Sequence, residues 1–315
     1  MLFSGCPIPG NSVQSERLDR GHGIGCDGLM GCLRVDLERT LAVGAARTPL
    51  DPPQAGVWLG VWGLACLGAG LGLWLVGGYH YGFAGLNATA TAWPEWIWEW
   101  LTSLSGQVTP LVLGLLLAHR YPRVFWALIL AGIAGFALSQ GLKLIFDAAR
   151  PPVVLPPGSF HLIGPAKQQW SFPSGHSVTA GVFGGVLVHY TRWSVGRGLW
   201  VLSALLVGLS RVAVGVHWPV DVACGLGGGV LAAWLGIRLA ARWDRVATSP
   251  AVHLALVTLC ACCALTLILS ESDYPQAQAL RQVLGWTAFG YALASYVAWP
   301  VVRCLGQPPG WRNRR

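Results

Sequence analysis

Three polar islands break an otherwise apolar chain, and their residue types suit the handling of a phosphate-like anion. The first runs from Lys143 to Arg150 and is closed by Pro151. Two cations seven residues apart on a helix lie nearly above one another, about 20° off, and form an anion clamp at a helix end. The proline at 151 disfavours helix at Arg150 and beyond. The second island is Phe172-Pro-Ser-Gly-His176. A Ser-Gly pair opening a helix presents free backbone N–H groups and the positive end of the helix dipole, which bind phosphate-like anions. Ser174 adds a hydroxyl to the Gly175 N–H, and His176 adds a group that exchanges a proton near neutral pH. The third island, Ser210-Arg211 through His217 to Asp221, supplies another cation, another imidazole and a carboxylate. A carboxylate beside an imidazole holds one ring N–H and leaves the other nitrogen free, the orienting logic of nucleophilic and acid–base catalysis. The inventory suits phosphoryl transfer without a metal, which is chiefly positioning and charge stabilisation. No cluster of carboxylates or of Cys and His is left over in the sequence to hold an ion. The residues alone do not say which histidine is the nucleophile.

These groups must be held by membrane helices. Of 315 residues 54% are apolar and only 11% charged, against about 25% charged in a soluble domain; mean hydropathy is +0.53. The 17 Trp and 42 Gly fit membrane interfaces and close helix contacts. Disorder, a coiled coil and a small disulfide scaffold are excluded. The net charge of +8 forms no basic stripe of the kind nucleic acid requires. Uncharged runs predict spans over 57–77, 100–118, 124–142, 175–191, 198–216, 219–237, 248–270 and 283–302, most of them near the roughly 20 residues that cross a bilayer. Arg120, Arg123, Arg192, Arg197, Arg238, Arg242, Arg245 and Arg303 fall in alternate breaks, and Glu95, Glu99, Asp147, Glu271 and Asp273 in the others. Positive-inside asymmetry then places both termini in the cytoplasm and all three islands on the outer face. The four Trp between Trp93 and Trp100 predict an interfacial helix there.

The pattern Lys-x6-Arg-Pro, Pro-Ser-Gly-His and Ser-Arg-x5-His-x3-Asp, complete and in order over 143–221, resembles the three-part signature of the type 2 phosphatidic acid phosphatases. Their superfamily also contains the vanadium-dependent haloperoxidases. The resemblance implies an all-α, polytopic transmembrane bundle with a six-helix phosphatase core. It implies that His217 attacks phosphorus and carries a phosphohistidine, that Asp221 orients that imidazole, and that His176 protonates the leaving oxygen and then activates water. Lys143, Arg150 and Arg211, with Ser174 and the Gly175 N–H, would hold the phosphate oxygens. No cofactor is expected. The domain reading is a poorly ordered extension over 1–55, the phosphatase core over 56–240, two additional transmembrane helices over 241–304 and a basic cytoplasmic tail over 305–315. The 152–172 loop overhangs the islands, as a connector or as a lid. His80, His119, His189 and His253 have no partners in sequence and read as structural.

The expected activity is release of phosphate from a lipid phosphate or diphosphate at the outer leaflet of a cell-envelope (bacterial inner) membrane. Undecaprenyl diphosphate stands first, because an outward site is where that carrier must be recycled; phosphatidic acid, phosphatidylglycerophosphate and lipid A phosphate follow. A lipid-to-lipid phosphotransferase is the near alternative. A vanadate-binding haloperoxidase and a non-catalytic lipid-binding protein are the distant ones, since apolar spans suit a lipid substrate and binding alone needs no histidine pair.

Overall fold

In the computed structural model, which describes residues 26–106 and 108–306, the chain is an all-α, polytopic bundle. Its helices are α1 (Cys26–Ala46), α2 (Ala55–Gly77), α3 (Phe83–Ala90), α4 (Glu95–Leu104), α5 (Thr109–Ala118), α6 (Pro122–Phe146) and the short α7 (Pro151–Val154). They continue as α8 (Gly175–Tyr190), α9 (Ser194–Ala213), α10 (Pro219–Arg242), the short α11 (Asp244–Ala247), α12 (Pro250–Leu269), α13 (Gln278–Leu293) and α14 (Trp299–Leu305). Among the described residues, six helical segments are long and apolar enough to cross a membrane. The other two expected spans differ. The span expected over 100–118 is two helices bent against each other, α4 and α5, and α8 has 16 residues. The outward face of α2 leaves Leu64, Leu71 and Leu75 more than half exposed, as a lipid-facing helix does.

α10 is the hub, packed by α2, α6, α8 and α9 around Val178, Val182, Leu226, Val230 and Ala233. Small residues let these backbones approach. At the α8–α10 crossing Gly181 faces Gly229, and a Cβ added at 229 would meet the Val178 carbonyl and lie 2.9 Å from the Gly181 Cα. A second apolar cluster, with Val112, Leu115, Cys260, Ala264, Leu267 and Ala288, joins α5, α12 and α13. α6 faces both, through Ala127 and Ala131 on one side and Phe125 and Ile129 on the other.

Two expectations are corrected here. Residues 26–46, read as part of a poorly ordered extension, form α1, which buries Leu41 and Ala45 and is tied to α14 by a Cys32–Cys304 disulfide. Its mixed charge hid an apolar face that packs on neighbours distant in sequence. Residues 1–25 and 307–315, the remainder of that extension and most of the basic tail, lie outside the described residues. Lys143 and Arg150 do not share a helix: α6 ends at Phe146 with Asp147 left-handed at φ 34°, and Arg150 is extended before Pro151. The proline outweighs the seven-residue spacing.

Candidate active site

All three islands meet at one end of the bundle. Pro219 opens α10, and Asp221 sits in its first turn, where a carboxylate complements the helix dipole. Its Oδ2 accepts the Trp218 N–H at 2.9 Å and the Ser171 hydroxyl at 2.5 Å, and its Oδ1 accepts the Tyr79 hydroxyl. His217 Nδ1 lies 3.2 Å from the same Oδ2. With Nδ1 carrying the proton, that carboxylate fixes the tautomer and leaves the Nε2 lone pair unprotonated. Nε2 in turn receives an N–H from Arg150 Nη1 at 3.0 Å. His217 and Asp221 are 1% and 0% exposed, so the pair is held dry and rigid. Burial first, then the charges of Arg150, Arg211, His176 and Lys143, push the His217 imidazole well below its ordinary range. Burial and the neighbouring Asp221 push the Tyr79 phenol up, which keeps it a donor.

α8 brings the second island. Ser174 caps it, its hydroxyl accepting the Ser177 N–H at 3.4 Å, while its own N–H donates to the Asp221 carbonyl at 3.2 Å. The starts of α8 and α10 are thus tied together, with the Ser174 carbonyl 2.9 Å from where a Gly225 Cβ would stand. His176 lies half-buried on the first turn of α8. Lys143 Nζ and Ser139 Oγ on α6 reach within 3.6 and 3.7 Å of a Cβ built on Gly175, which brings the Lys143 ammonium to the start of α8.

The three cations are held differently. Arg150 donates to the carbonyls of Gln169 (2.7 Å), Val216 (3.1 Å) and Trp170 (3.3 Å) as well as to His217. That occupies four of the five guanidinium N–H groups. Trp170 takes a left-handed φ of 57° where its carbonyl turns onto Arg150. Arg211, on the last turn of α9 and 1% exposed, donates through Nη1 to Thr102 and to Tyr274, and its Nε is buried without a partner. An orphaned buried guanidinium N–H is costly unless an anion completes it.

The 152–172 loop is a structured connector. The Ser171 N–H donates to Ala148 O at 2.8 Å, the Ile163 N–H to Val214 O at 3.2 Å, and Asn87 brackets His161. The sequence reading missed Ser171, Tyr79, Thr102 and Tyr274. Only Ser171, three residues before Ser174, lay near a signal. Among the remaining histidines, His80 stacks on Trp218 at 4.0 Å and His253 meets the Tyr296 hydroxyl at 2.8 Å. An apolar cavity of about 420 Å³, walled by Leu67, Leu71, Trp74, Phe146, Phe172 and Cys224, opens between α2, α6 and α10 and includes Tyr79 in its lining.

Against known proteins, residues 123–245 match the PAP2 superfamily. An undecaprenyl-diphosphatase from Sulfolobus acidocaldarius is 30% identical over 145 residues, 45% of this chain and 61% of the relative. The undecaprenyl-diphosphatase BcrC of Bacillus subtilis is 34% identical over 93 residues, 30% of this chain and 46% of the relative. A lipid A 1-phosphatase from Rhizobium johnstonii is 38% identical over 76 residues, 24% of this chain and 29% of the relative. The chain therefore spans less than two thirds of the length of these curated relatives. Among solved structures, Aquifex aeolicus LpxE is 25% identical with a TM-score of 0.42, over 50% of this chain and 92% of that one.

Proposed function

From a chain that carries a PAP2 superfamily domain over residues 123–245, we propose a membrane phosphatase that removes phosphate from a lipid phosphate or diphosphate, undecaprenyl diphosphate first, through a phosphohistidine. The observation that carries the reading is the His217–Asp221 pair, 3.2 Å apart and buried, with the opposite ring nitrogen turned to the Arg150 guanidinium at 3.0 Å. In the first step His217 Nε2 attacks phosphorus, and the bond from phosphorus to the leaving oxygen breaks as His176 supplies that oxygen's proton. In the second, water attacks phosphorus, His176 takes the water's proton, and the P–N bond breaks to free Nε2. Arg150, now donating to Nε2, passes that N–H to a phosphate oxygen as attack begins. Lys143, Arg211 and the Gly175 N–H, with Ser174 shaping the helix start, hold the remaining oxygens and offset charge on the transferring group.

A lipid substrate is supported by the apolar cavity that Tyr79, a partner of Asp221, helps to line. One chain tail lies there while its phosphate reaches the cations. The positive-inside pattern of the loop charges supports cytoplasmic termini and a site on the outer face of the inner membrane.

The test is phosphate release by detergent-solubilised protein in EDTA. The panel is undecaprenyl diphosphate, phosphatidic acid, phosphatidylglycerophosphate and lipid A phosphate, with His217→Ala in parallel. Release by the wild type and not the variant is expected. No release from any lipid overturns hydrolysis and favours transfer between lipids. Equal release by His217→Ala overturns the nucleophile.

A further inference from the structure

We propose that the loop between α12 and α13, which lies outside the matched residues 123–245, is part of the active site. Its Tyr274 is a positioning residue that aims Arg211 at the transferring phosphoryl group. This rests on the reading above that Arg211 holds phosphate.

The geometry is specific to one nitrogen. Arg211 Nη1 donates to the Tyr274 hydroxyl at 3.1 Å and also to the Thr102 hydroxyl. Both partners grip the same nitrogen, so they fix the guanidinium from one end while Nε stays buried and unpartnered. A planar fork pinned at one end with an open N–H elsewhere is pre-organised for an anion. An unpinned guanidinium would have to lose its rotamer freedom during the reaction.

The loop is anchored well enough to do this. Tyr274 is 5% exposed and shares an apolar cluster with Trp98, Ile163, Val214, Val216 and Ala277. Val214 and Val216 lie on the segment that joins Arg211 to His217, so the loop braces the backbone of both groups. The Gln276 N–H donates to Glu99 Oε2 at 2.7 Å, and Trp100 Nε1 donates to the Gln276 carbonyl at 2.9 Å. Lys167 and Asp273 pair at the rim at 2.7 Å. At Gly164, with φ +77°, a Cβ would stand 2.7 Å from the Tyr274 ring, so the 152–172 loop closes on the same tyrosine. The C-terminal helices thus reach the chemistry through one phenol.

The experiment uses the full chain in detergent, with the fastest-released lipid of the panel as substrate and orthovanadate as a probe of the anion site. Tyr274→Phe keeps the ring and removes the acceptor. We expect kcat to fall about tenfold with KM within about twofold, and vanadate inhibition to weaken by a similar factor. This is the low end for a hydrogen bond to a charged group, because Thr102 still holds the nitrogen. The melting temperature should not move. Arg211→Ala run beside it separates the two failures. If Arg211→Ala is crippled while Tyr274→Phe keeps wild-type kcat and vanadate inhibition, the role of Tyr274 is refuted and that of Arg211 stands. If Arg211→Ala turns over like wild type, the underlying reading falls. Loss of kcat matched by loss of folded protein would mean a structural role only, and would also overturn the proposal. Should Tyr274→Phe fail to fold, Glu99→Gln loosens the loop without touching Arg211. Weaker vanadate inhibition is expected there, and unchanged inhibition counts against the proposal.

Discussion

Asp221→Asn separates orientation of the imidazole from stabilisation of its charge. Three donors converge on Oδ2, from Ser171, Trp218 and His217, while Oδ1 accepts only from Tyr79. An asparagine therefore seats its carbonyl oxygen at the Oδ2 position and its NH₂ toward Tyr79, whose hydroxyl rotates to accept. The tautomer survives, and the negative charge opposite His217 is lost. At 3.2 Å and an effective dielectric near 20, that charge acts on an imidazolium with about 5 kcal/mol of Coulomb energy. The surviving neutral hydrogen bond and the surrounding donors recover part of this, leaving about 3–4 kcal/mol in the transition state. The expected result is a kcat lower by about two to three powers of ten. KM should change little, because Asp221 does not face the lipid cavity. Thermal stability should fall, since the Tyr79 O–H loses its acceptor and the buried Arg150 loses the carboxylate beside it; the chemical step is therefore compared on protein that is still folded. Single-turnover phosphate release gives the rate of the chemical step directly. A kcat within threefold of wild type would refute the assignment of Asp221 as the partner that stabilises charge on His217.

Three further outcomes are expected. His217 is depressed well below its usual range, so its neutral form persists in mild acid and the acid limb of kcat/KM due to it falls well below pH 6.5. The same shift makes stability fall as pH drops below about 6.5, where the unfolded imidazole takes up a proton and the folded one does not; an acid limb above 6.5 that follows His217 would contradict this. Gly229→Leu forces atoms into the Val178 carbonyl and Gly181 and should cost about 2–3 kcal/mol of stability, read by denaturant or thermal unfolding; a loss under 0.5 kcal/mol would mean that α8 and α10 do not cross there. The Cys32–Cys304 bond lies at the end that the proposed topology puts in the cytoplasm, where thiols are kept reduced. In intact cells of a mesophilic host the pair should therefore be held as thiols, the bond closing only on oxidation, so that alkylation of protein denatured directly from those cells labels both buried cysteines; a bond that persists there would reverse the topology.

The helical class and the convergence of the three islands were legible because both rest on local signals. Long uncharged runs give spans, and the polar residues that interrupt them are expensive at membrane depth. The pairing of His217 with Asp221 was legible only as a possibility, since Pro219 between them left their relative geometry open. The structure resolves it by making Asp221 the carboxylate that caps the Trp218 N–H. Tyr79, Thr102 and Tyr274 were not legible. Each lies more than 100 residues from the group it holds or, for Tyr274, on a hairpin whose own sequence reads only as membrane helix. The α1 helix was hidden for a related reason: what orders it is contact with α6 and α14, and nothing local marks that.

The charge balance of the site argues for its kind of ligand. Lys143, Arg150 and Arg211 gather around His217, and both oxygens of its partner Asp221 are already engaged by four donors. Nothing in that set is left to neutralise the buried Arg150 and Arg211, and uncompensated buried charge costs several kcal/mol per ion. A soluble phosphate would satisfy the charge and leave the cavity at Tyr79 unused. A neutral lipid would fill the cavity and leave the Arg211 Nε orphaned. A molecule with an anionic head and an apolar tail would satisfy both, which supports the proposed lipid phosphate. The position of the site follows from the same balance. Its cations sit at the ends of α6 and α9 and just before α7, where they meet a headgroup at the interface, because the same charges placed mid-span would oppose the folding of the bundle that positions them.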